Sequence, residues 1–336
     1  MTAPLAVSMG DPAGIGPEVI GKAWEARLSR RLPRFVAVGD ARALTRVWSG
    51  PVAIVEDVAA GAERFDAALP VLHVENTGEI VPGVPDAAGA GCALHSLELA
   101  CDLVRSGSAR ALVTGPVSKA QLYDIGFTWP GQTEFLAERC GGVGANAVMM
   151  LAGPGLRVVP VTTHVPLAKV AGLLSIDMLV AKAHTTARGL TQNFGITAPR
   201  LAFAGFNPHA GEGGAIGHEE IDILEPAIAR LRADGIDASG PFAADTMFHA
   251  RAREGYDVAI CCYHDQALVP LKTLYFDDGV NMTLGLPIVR TSPDHGTAFG
   301  IAGRGLANAG ATIAAILMAG EAADQRAYAG ERREPA

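Results

Sequence analysis

Leu5-Ala-Val-Ser-Met-Gly-Asp-Pro-Ala-Gly-Ile-Gly-Pro-Glu-Val19 decides the fold class. The apolar run Leu5–Met9 is too short for a helix and reads as a buried strand. Gly10, Gly14 and Gly16 permit tight backbone turns and close approach of a ligand, and Pro17 stands where a first helical turn tolerates proline. A helical pattern, Pro17–Arg30, follows. The segment is therefore strand, glycine-rich turn, helix, and the alternation continues along the chain. Further strands are expected at Phe35–Val38, Val52–Val55, Val71–Val74, Ala111–Thr114, Ala147–Leu151, Leu156–Thr163, Leu201–Phe206 and Val258–Tyr263. Helical patterns fall at Ala90–Arg105, Gln132–Cys140, Ile176–Leu190, Glu219–Ala233 and Thr246–Arg253. Strands interleaved with helices imply an α/β fold with a mostly parallel sheet covered on both faces.

The 336 residues suffice for two average domains or one large α/β unit. No internal repeat or long polar linker divides them, so two domains would be joined by more than one crossing of the chain. Hydrophobic residues at 49% and charged residues at 18% describe a globular protein. With 27 basic against 35 acidic residues the net charge is −8, and no basic run offers a nucleic-acid surface. An anionic substrate would need a locally basic pocket. Met1 to Gly10 lacks the charged and apolar regions of an export signal, and the weakly polar run Ala298–Gly320, broken by Arg304 and Asn308, fits a buried helix better than a membrane span. Five cysteines without a C-x-x-C pair read as reduced thiols, most of them buried, in a cytoplasmic protein.

Three histidines and one aspartate share a placement, each following a strand-like run: His164, His209, His264 and Asp245. Ligands of open α/β sheets bind at the carboxyl ends of strands. Three neutral imidazoles there could converge on one divalent cation and leave coordination positions open, the catalytic arrangement. A lone strand-end His is more often a hydrogen-bonded loop residue; three of nine at equivalent ends shifts the balance. His73, His95, His184, His218 and His249 read as structural.

The turn Ser8–Glu18 ends in a helix N-terminus, a favourable place for an anion, though a βα turn also needs glycine for geometry alone. It is neither a phosphate-binding P-loop nor a good dinucleotide fingerprint. A second turn, Thr291-Ser-Pro-Asp-His-Gly-Thr-Ala298, could hold a nucleotide or simply cap a helix. Between the turns lie Lys272, Asn281 and Arg290. Each basic residue alone would more often be solvated, but apolar neighbours place this segment at least partly inside. Arg290 could then grip a phosphate or carboxylate in bidentate fashion.

These motifs resemble the 4-hydroxythreonine-4-phosphate dehydrogenase family of pyridoxal phosphate biosynthesis over nearly the whole chain. The resemblance shows in MGDPAGIGPE (Met9–Glu18), VTGPVSK (Val113–Lys119), GQTEFLA (Gly131–Ala137), FNPHAG (Phe206–Gly211), GPFAADTMF (Gly240–Phe248), YHDQ (Tyr263–Gln266) and the long block Asp278–Gly305. It implies a relative of the isocitrate and isopropylmalate dehydrogenases: two α/β/α domains around a cleft, 1–130 with 290–336 on the nucleotide side and 131–289 on the substrate, metal and dimerisation side. It implies His164, His209 and His264 as ligands of one divalent metal per subunit (zinc, magnesium or cobalt), and substrate contacts from Thr133, Lys272, Asn281 and Arg290. Gln132 joins them as a substrate contact. NAD or NADP would lie near Gly14, Gly16, His295 and Gly296. A homodimer with its sites at the subunit interface is implied too.

Two positions depart from the family pattern. Gln132 stands where the family usually has His; it keeps a donor and an acceptor but cannot shuttle a proton. Gly300 stands where an acid is common, which leaves the choice between NAD and NADP open. The implied reaction is oxidation of a C3 hydroxyl followed by loss of the carboxylate, giving 3-amino-2-oxopropyl phosphate; Lys272, or Asp245 through water, is the candidate proton acceptor, since a nearby cation could tune either. The alternatives are the same chemistry on 4-phosphorylated threonate or erythronate or on a cyclic diol carboxylate, a metal hydrolase or lyase without nicotinamide, and a ligand-binding protein without turnover.

Overall fold

A computed structural model describes residues 2–141 and 147–331. They divide into two compact units, each made of two pieces of chain. One comprises 2–141 with Leu286–Asp324, the other 147–285 with 325–331. The expected segments 131–289 and 290–336 run through 142–146 and 332–336, which lie outside the described residues.

The first unit carries β1 (Leu5–Ser8), β2 (Phe35–Gly39), β3 (Val52–Val55), β4 (Leu69–His73), β5 (Leu112–Thr114) and, from the later piece, β12 (Arg290–Pro293). Their order is β3-β4-β2-β1-β5-β12, and every pairing is parallel. Parallel strands need crossovers, and α1 (Gly16–Glu25), α2 (Ala41–Val47), α3 (Val58–Arg64) and α4 (Ala87–Arg105) supply them, followed by α5 (Lys119–Asp124) and α6 (Gln132–Arg139). Asp40, Asp57, Asp86 and Ser118 open α2, α3, α4 and α5 by accepting a hydrogen bond from a first-turn N–H. Leu5, Phe35, Leu69 and Leu112 are wholly buried, as expected of strands covered on both faces. At Gly16 a Cβ would stand 2.0 Å from the Met9 carbonyl oxygen, so no other residue lets α1 start so close to β1.

The second unit carries β6 (Val148–Gly153), β7 (Leu156–Pro160), β8 (Arg200–Ala204), β9 (Asp237–Phe242), β10 (Val258–Cys261) and β11 (Val280–Leu284), in the order β11-β6-β7-β10-β8-β9. β6 pairs antiparallel with β7 and β11, while β7, β10, β8 and β9 run parallel. Its helices are α7 (Leu167–Leu173), α8 (Ile176–Phe194), α9 (Glu225–Ala233), α10 (Ala250–Arg253) and α11 (His264–Leu274). Ser175 caps the start of α8 and Gly195, at φ 68°, ends it. The last helix, α12 (Gly310–Glu331), begins in the first unit and ends in the second.

The sequence pattern missed β9, β11 and β12. Asp237–Phe242 contains Ser, Gly and Pro, Val280–Leu284 contains Asn and Thr, and Arg290–Pro293 is almost wholly polar. Pairing with neighbours makes these strands, not side-chain propensity. The helix expected over Thr246–Arg253 shrinks to Ala250–Arg253, because the His249 side chain accepts from the Ala252 N–H and caps the chain there. Ala298–Gly320 is a short 3-10 turn and a loop before α12 opens at Gly310. Among the described residues one helix, α4, is long and apolar enough to cross a membrane, and half of it is buried inside the structure.

Candidate functional site

In the first unit the carboxyl ends of β1, β5 and β12 lie side by side. The chain turns one way from β1 to β2 and the other way to β5, which makes this edge a topological switch point. Both glycine-rich turns meet at it. Ile15 N donates to the Thr297 carbonyl at 3.0 Å, and a Cβ at Gly14 would lie 3.0 Å from the same oxygen. Packing between the turns thus accounts for Gly14, and the Met9 carbonyl for Gly16, without a ligand, whereas Gly296 is exposed and has open space around it. His295 Nδ1 lies 3.1 Å from the Gly296 carbonyl, and its Nε2 is buried without a protein partner. Burial pushes its pKa down, so the ring is neutral at pH 7 and offers a polar nitrogen to an uncharged group. Asp11, in the first turn, is buried, and desolvation raises its pKa.

Arg290 is 4% exposed. Its Nη2 donates to Thr114 Oγ1 at 2.7 Å and to Gln132 Oε1 at 3.2 Å. Gln132 Nε2 in turn donates to the Gly115 carbonyl at 3.2 Å. Gln132 therefore acts first as a brace between β5 and β12, with Thr133 half-buried beside it in the first turn of α6. Burial lowers the Arg290 pKa to about 10, against the opposing charge of Glu134, so the guanidinium stays charged at neutral pH. A buried cation costs several kcal/mol unless anions or dipoles compensate it. A fixed guanidinium at a switch point suits a phosphate or carboxylate.

In the second unit β7, β10 and β8 are adjacent and parallel, and His164, His264 and His209 follow their carboxyl ends in that order. The rings of His164 and His264 stand 5.9 Å apart, centroid to centroid, in a depression that Val165, Leu167, Tyr263 and Asp265 also line. His264 is the first residue of α11, and its Nδ1 lies 2.7 Å from Asp265 Oδ1. His209 Nδ1 lies 3.0 Å from Glu212 Oε2. A carboxylate that accepts from Nδ1–H leaves the Nε2 lone pair open to a cation, a common habit of metal-ligating histidine. The expected convergence of three imidazoles does not occur within one chain: among the described residues no three His, Cys, Asp or Glu side chains stand close enough to hold a metal ion. The reason lies in the turn that carries His209. Residues 209–213 all adopt left-handed backbone angles, with φ of 51° at His209, 52° at Ala210 and 46° at Glu212. That coil directs His209 to its own Glu212.

Lys272 lies on the same face of α11 as His264 and Leu268, at successive four-residue steps, and all three line one open groove. Asp245 is exposed on the turn Ala244–Thr246, which packs against the His209 turn. Asn281 lies on β11, and its Oδ1 is buried without a hydrogen-bond partner. Leaving an acceptor so costs about 1–3 kcal/mol, which a ligand donor would recover. Sequence reading missed Thr114, Glu212 and Asp265. The two acids were detectable, at three positions and one position from a selected His. Thr114 was not, because 176 residues separate it from Arg290.

Switch-point loops, a buried cation and imidazoles at strand ends belong to α/β enzymes that handle small anionic molecules. Residues 31–319 match the family described as pyridoxal phosphate biosynthetic protein PdxA, and the chain belongs to that family. It is 54% identical over 327 residues to the 4-hydroxythreonine-4-phosphate dehydrogenase of Zymomonas mobilis, covering 97% of this chain and 98% of that one. The crystal structure of the Klebsiella pneumoniae enzyme of the same name superposes with a TM-score of 0.84 at 36% identity, covering 96% of this chain and 100% of that one. A terephthalate 1,2-cis-dihydrodiol dehydrogenase from Burkholderia xenovorans superposes with a TM-score of 0.64 at 30% identity, covering 95% and 99%.

Proposed function

We propose that the chain is a metal-dependent, NAD- or NADP-linked dehydrogenase that oxidises 4-hydroxythreonine-4-phosphate and releases its carboxylate. The observation that carries this reading is identity of 54% to an enzyme of that name along 97% of the chain. Arg290, braced by Thr114 and Gln132, binds the phosphate or carboxylate, and Thr133 adds a hydroxyl beside it. Asn281 Oδ1 accepts from a substrate donor. His164, His209 and His264 hold one divalent cation, zinc, cobalt or magnesium, which when bound polarises the substrate hydroxyl. The donor chemistry fits, since two of the three imidazoles have an Nδ1 engaged by a carboxylate.

Within one chain only His164 and His264 of these three are in ring contact, which supports a homodimer whose second copy completes the site. Exposed Val165 and Leu167 beside this pair, and Val269 and Phe276 along and just beyond α11, are the apolar surface such a partner would cover. Lys272, two turns from His264 on the same face, takes the hydroxyl proton; Asp245 through water is the other acceptor in reach of the His209 turn. The nucleotide lies on the first unit near His295 and Gly296, and the protein works in the cytoplasm.

The test is a spectrophotometric assay of purified protein with 4-hydroxythreonine-4-phosphate, each nucleotide and each metal. Turnover is expected with at least one combination, and none with any would overturn the reading. A second reading, oxidation of a cyclic diol carboxylate, draws on Gln132 and on the likeness to the dihydrodiol dehydrogenase. Rates measured side by side decide between the two.

A further inference from the structure

Cys101 and Cys140 are 39 positions apart, and their sulfurs stand 3.8 Å from each other, in van der Waals contact. Cys101 is wholly buried on α4, and Cys140 is the half-buried C-cap of α6. Bonds that do not involve sulfur hold the contact. Arg139, next to Cys140, donates to Asp102 Oδ2 at 2.7 Å and to Glu98 Oε1 at 3.3 Å, both on α4. The Cys140 N–H donates to the Leu136 carbonyl at 2.9 Å. The end of α6 is thus pinned to α4 with the two thiols already touching.

The pair is asymmetric. The two sulfurs share a hydrogen bond, which lowers the Cys140 pKa below the ordinary thiol value, opposed by burial and assisted by the Arg105 and Arg139 charges. The Cys101 pKa rises, through the same hydrogen bond and burial. Only thiolate is a good nucleophile. Cys140 is also the partner that solvent reaches. The remaining cysteines do not compete: Cys92, Cys261 and Cys262 are buried, and burial raises the thiols of Cys92 and Cys262 to about 12.

We propose that Cys140 and Cys101 form a reversible redox pair that reacts with hydroperoxides. The Cys140 thiolate attacks the peroxide O–O bond, forms an S–O bond and releases an alkoxide or hydroxide, which takes up a proton. The Cys101 thiol then attacks that sulfur, an S–S bond replaces the S–O bond, and water leaves. Two thiols give up two electrons and the peroxide accepts them. The sulfurs must close to about 2.05 Å, less than about 2 Å of travel. The crosslink would fix the far end of the helix that begins with Gln132 and Thr133.

The experiment treats the full-length protein with dilute hydrogen peroxide, alkylates the remaining thiols and maps peptides by mass spectrometry. The expected result is a Cys101–Cys140 disulfide, two fewer free thiols, and return to five on adding dithiothreitol. In Cys101→Ser, dimedone should label Cys140; in Cys140→Ser, it should leave Cys101 unlabelled. The wild-type map is independent of whether either variant folds. Retention of all five thiols, or a disulfide between other cysteines, would overturn the proposal.

Discussion

Arg290 donates to Thr114 Oγ1 at 2.7 Å from a position almost closed to water. The two residues belong to neighbouring parallel strands, in a register that pairs Arg290 with Leu112 and Thr291 with Val113. The same guanidinium nitrogen also reaches Gln132 Oε1, so β5, β12 and the start of α6 share one cation. One nitrogen, Nη2, makes both contacts, which fixes the plane of the guanidinium.

Arg290→Lys keeps the charge and loses the fork. KM for the phosphorylated substrate should rise at least about tenfold, or about 1.4 kcal/mol, with a smaller change in kcat. Steady-state kinetics check this, and an unchanged KM would remove Arg290 from the anion site.

Asp265 and Glu212 each hold the Nδ1 of a proposed metal ligand. Asp265→Asn should weaken metal binding by about 10–100-fold while leaving the fold intact, because such carboxylates fix ring orientation and raise ligand basicity. His264→Ala should abolish stoichiometric metal. Calorimetric titration of the apo-protein with zinc measures both effects, and wild-type affinity in His264→Ala would count against the site.

Asp40 is buried at the start of α2. Burial pushes its pKa up, but hydrogen bonds from the Arg42 side chain and from the Asn76 and Arg42 N–H groups more than cancel this, so the folded value lies below 3.8. A depressed folded pKa stabilises the fold above the unfolded value, and the gain is lost as pH falls through the folded one. Asp40→Asn should therefore lower Tm at pH 7, and the gap should close as the pH drops below about 4. Melting curves across that range test the sign.

Ala210 sits at φ 52° in the left-handed turn. Left-handed backbone costs an L-residue about 1–2 kcal/mol, and more when the side chain is β-branched. Ala210→Val should destabilise the protein by about 2 kcal/mol. Ala210→Gly should change stability by less than about 1 kcal/mol, since relief of strain offsets added freedom of the unfolded chain. Urea denaturation separates the two, and equal losses would argue that strain is not the cause.

The α/β class was legible because short apolar runs and helical patterns alternate from Leu5 onward, and wholly buried strands need apolar residues whatever their partners are. The strand-end position of His164, His209 and His264 was legible for the same reason. β9, β11 and β12 were not, and Arg290–Pro293 is a strand only because β5 lies beside it. The span from Leu201 to Gly213 shows the limit well: the strand was foreseen, and the left-handed coil after it, which turns His209 to Glu212, was not.

Local composition and periodicity were therefore sufficient for the elements, their alternation and the residue types gathered at strand ends, because those depend on neighbours a few positions apart. Only the tertiary structure decided the strand order, the brace of Gln132 on Arg290, the meeting of Cys101 with Cys140, and the failure of three imidazoles to converge in one chain. Each of these depends on distances between residues remote in sequence or on backbone angles that the side chains alone do not dictate.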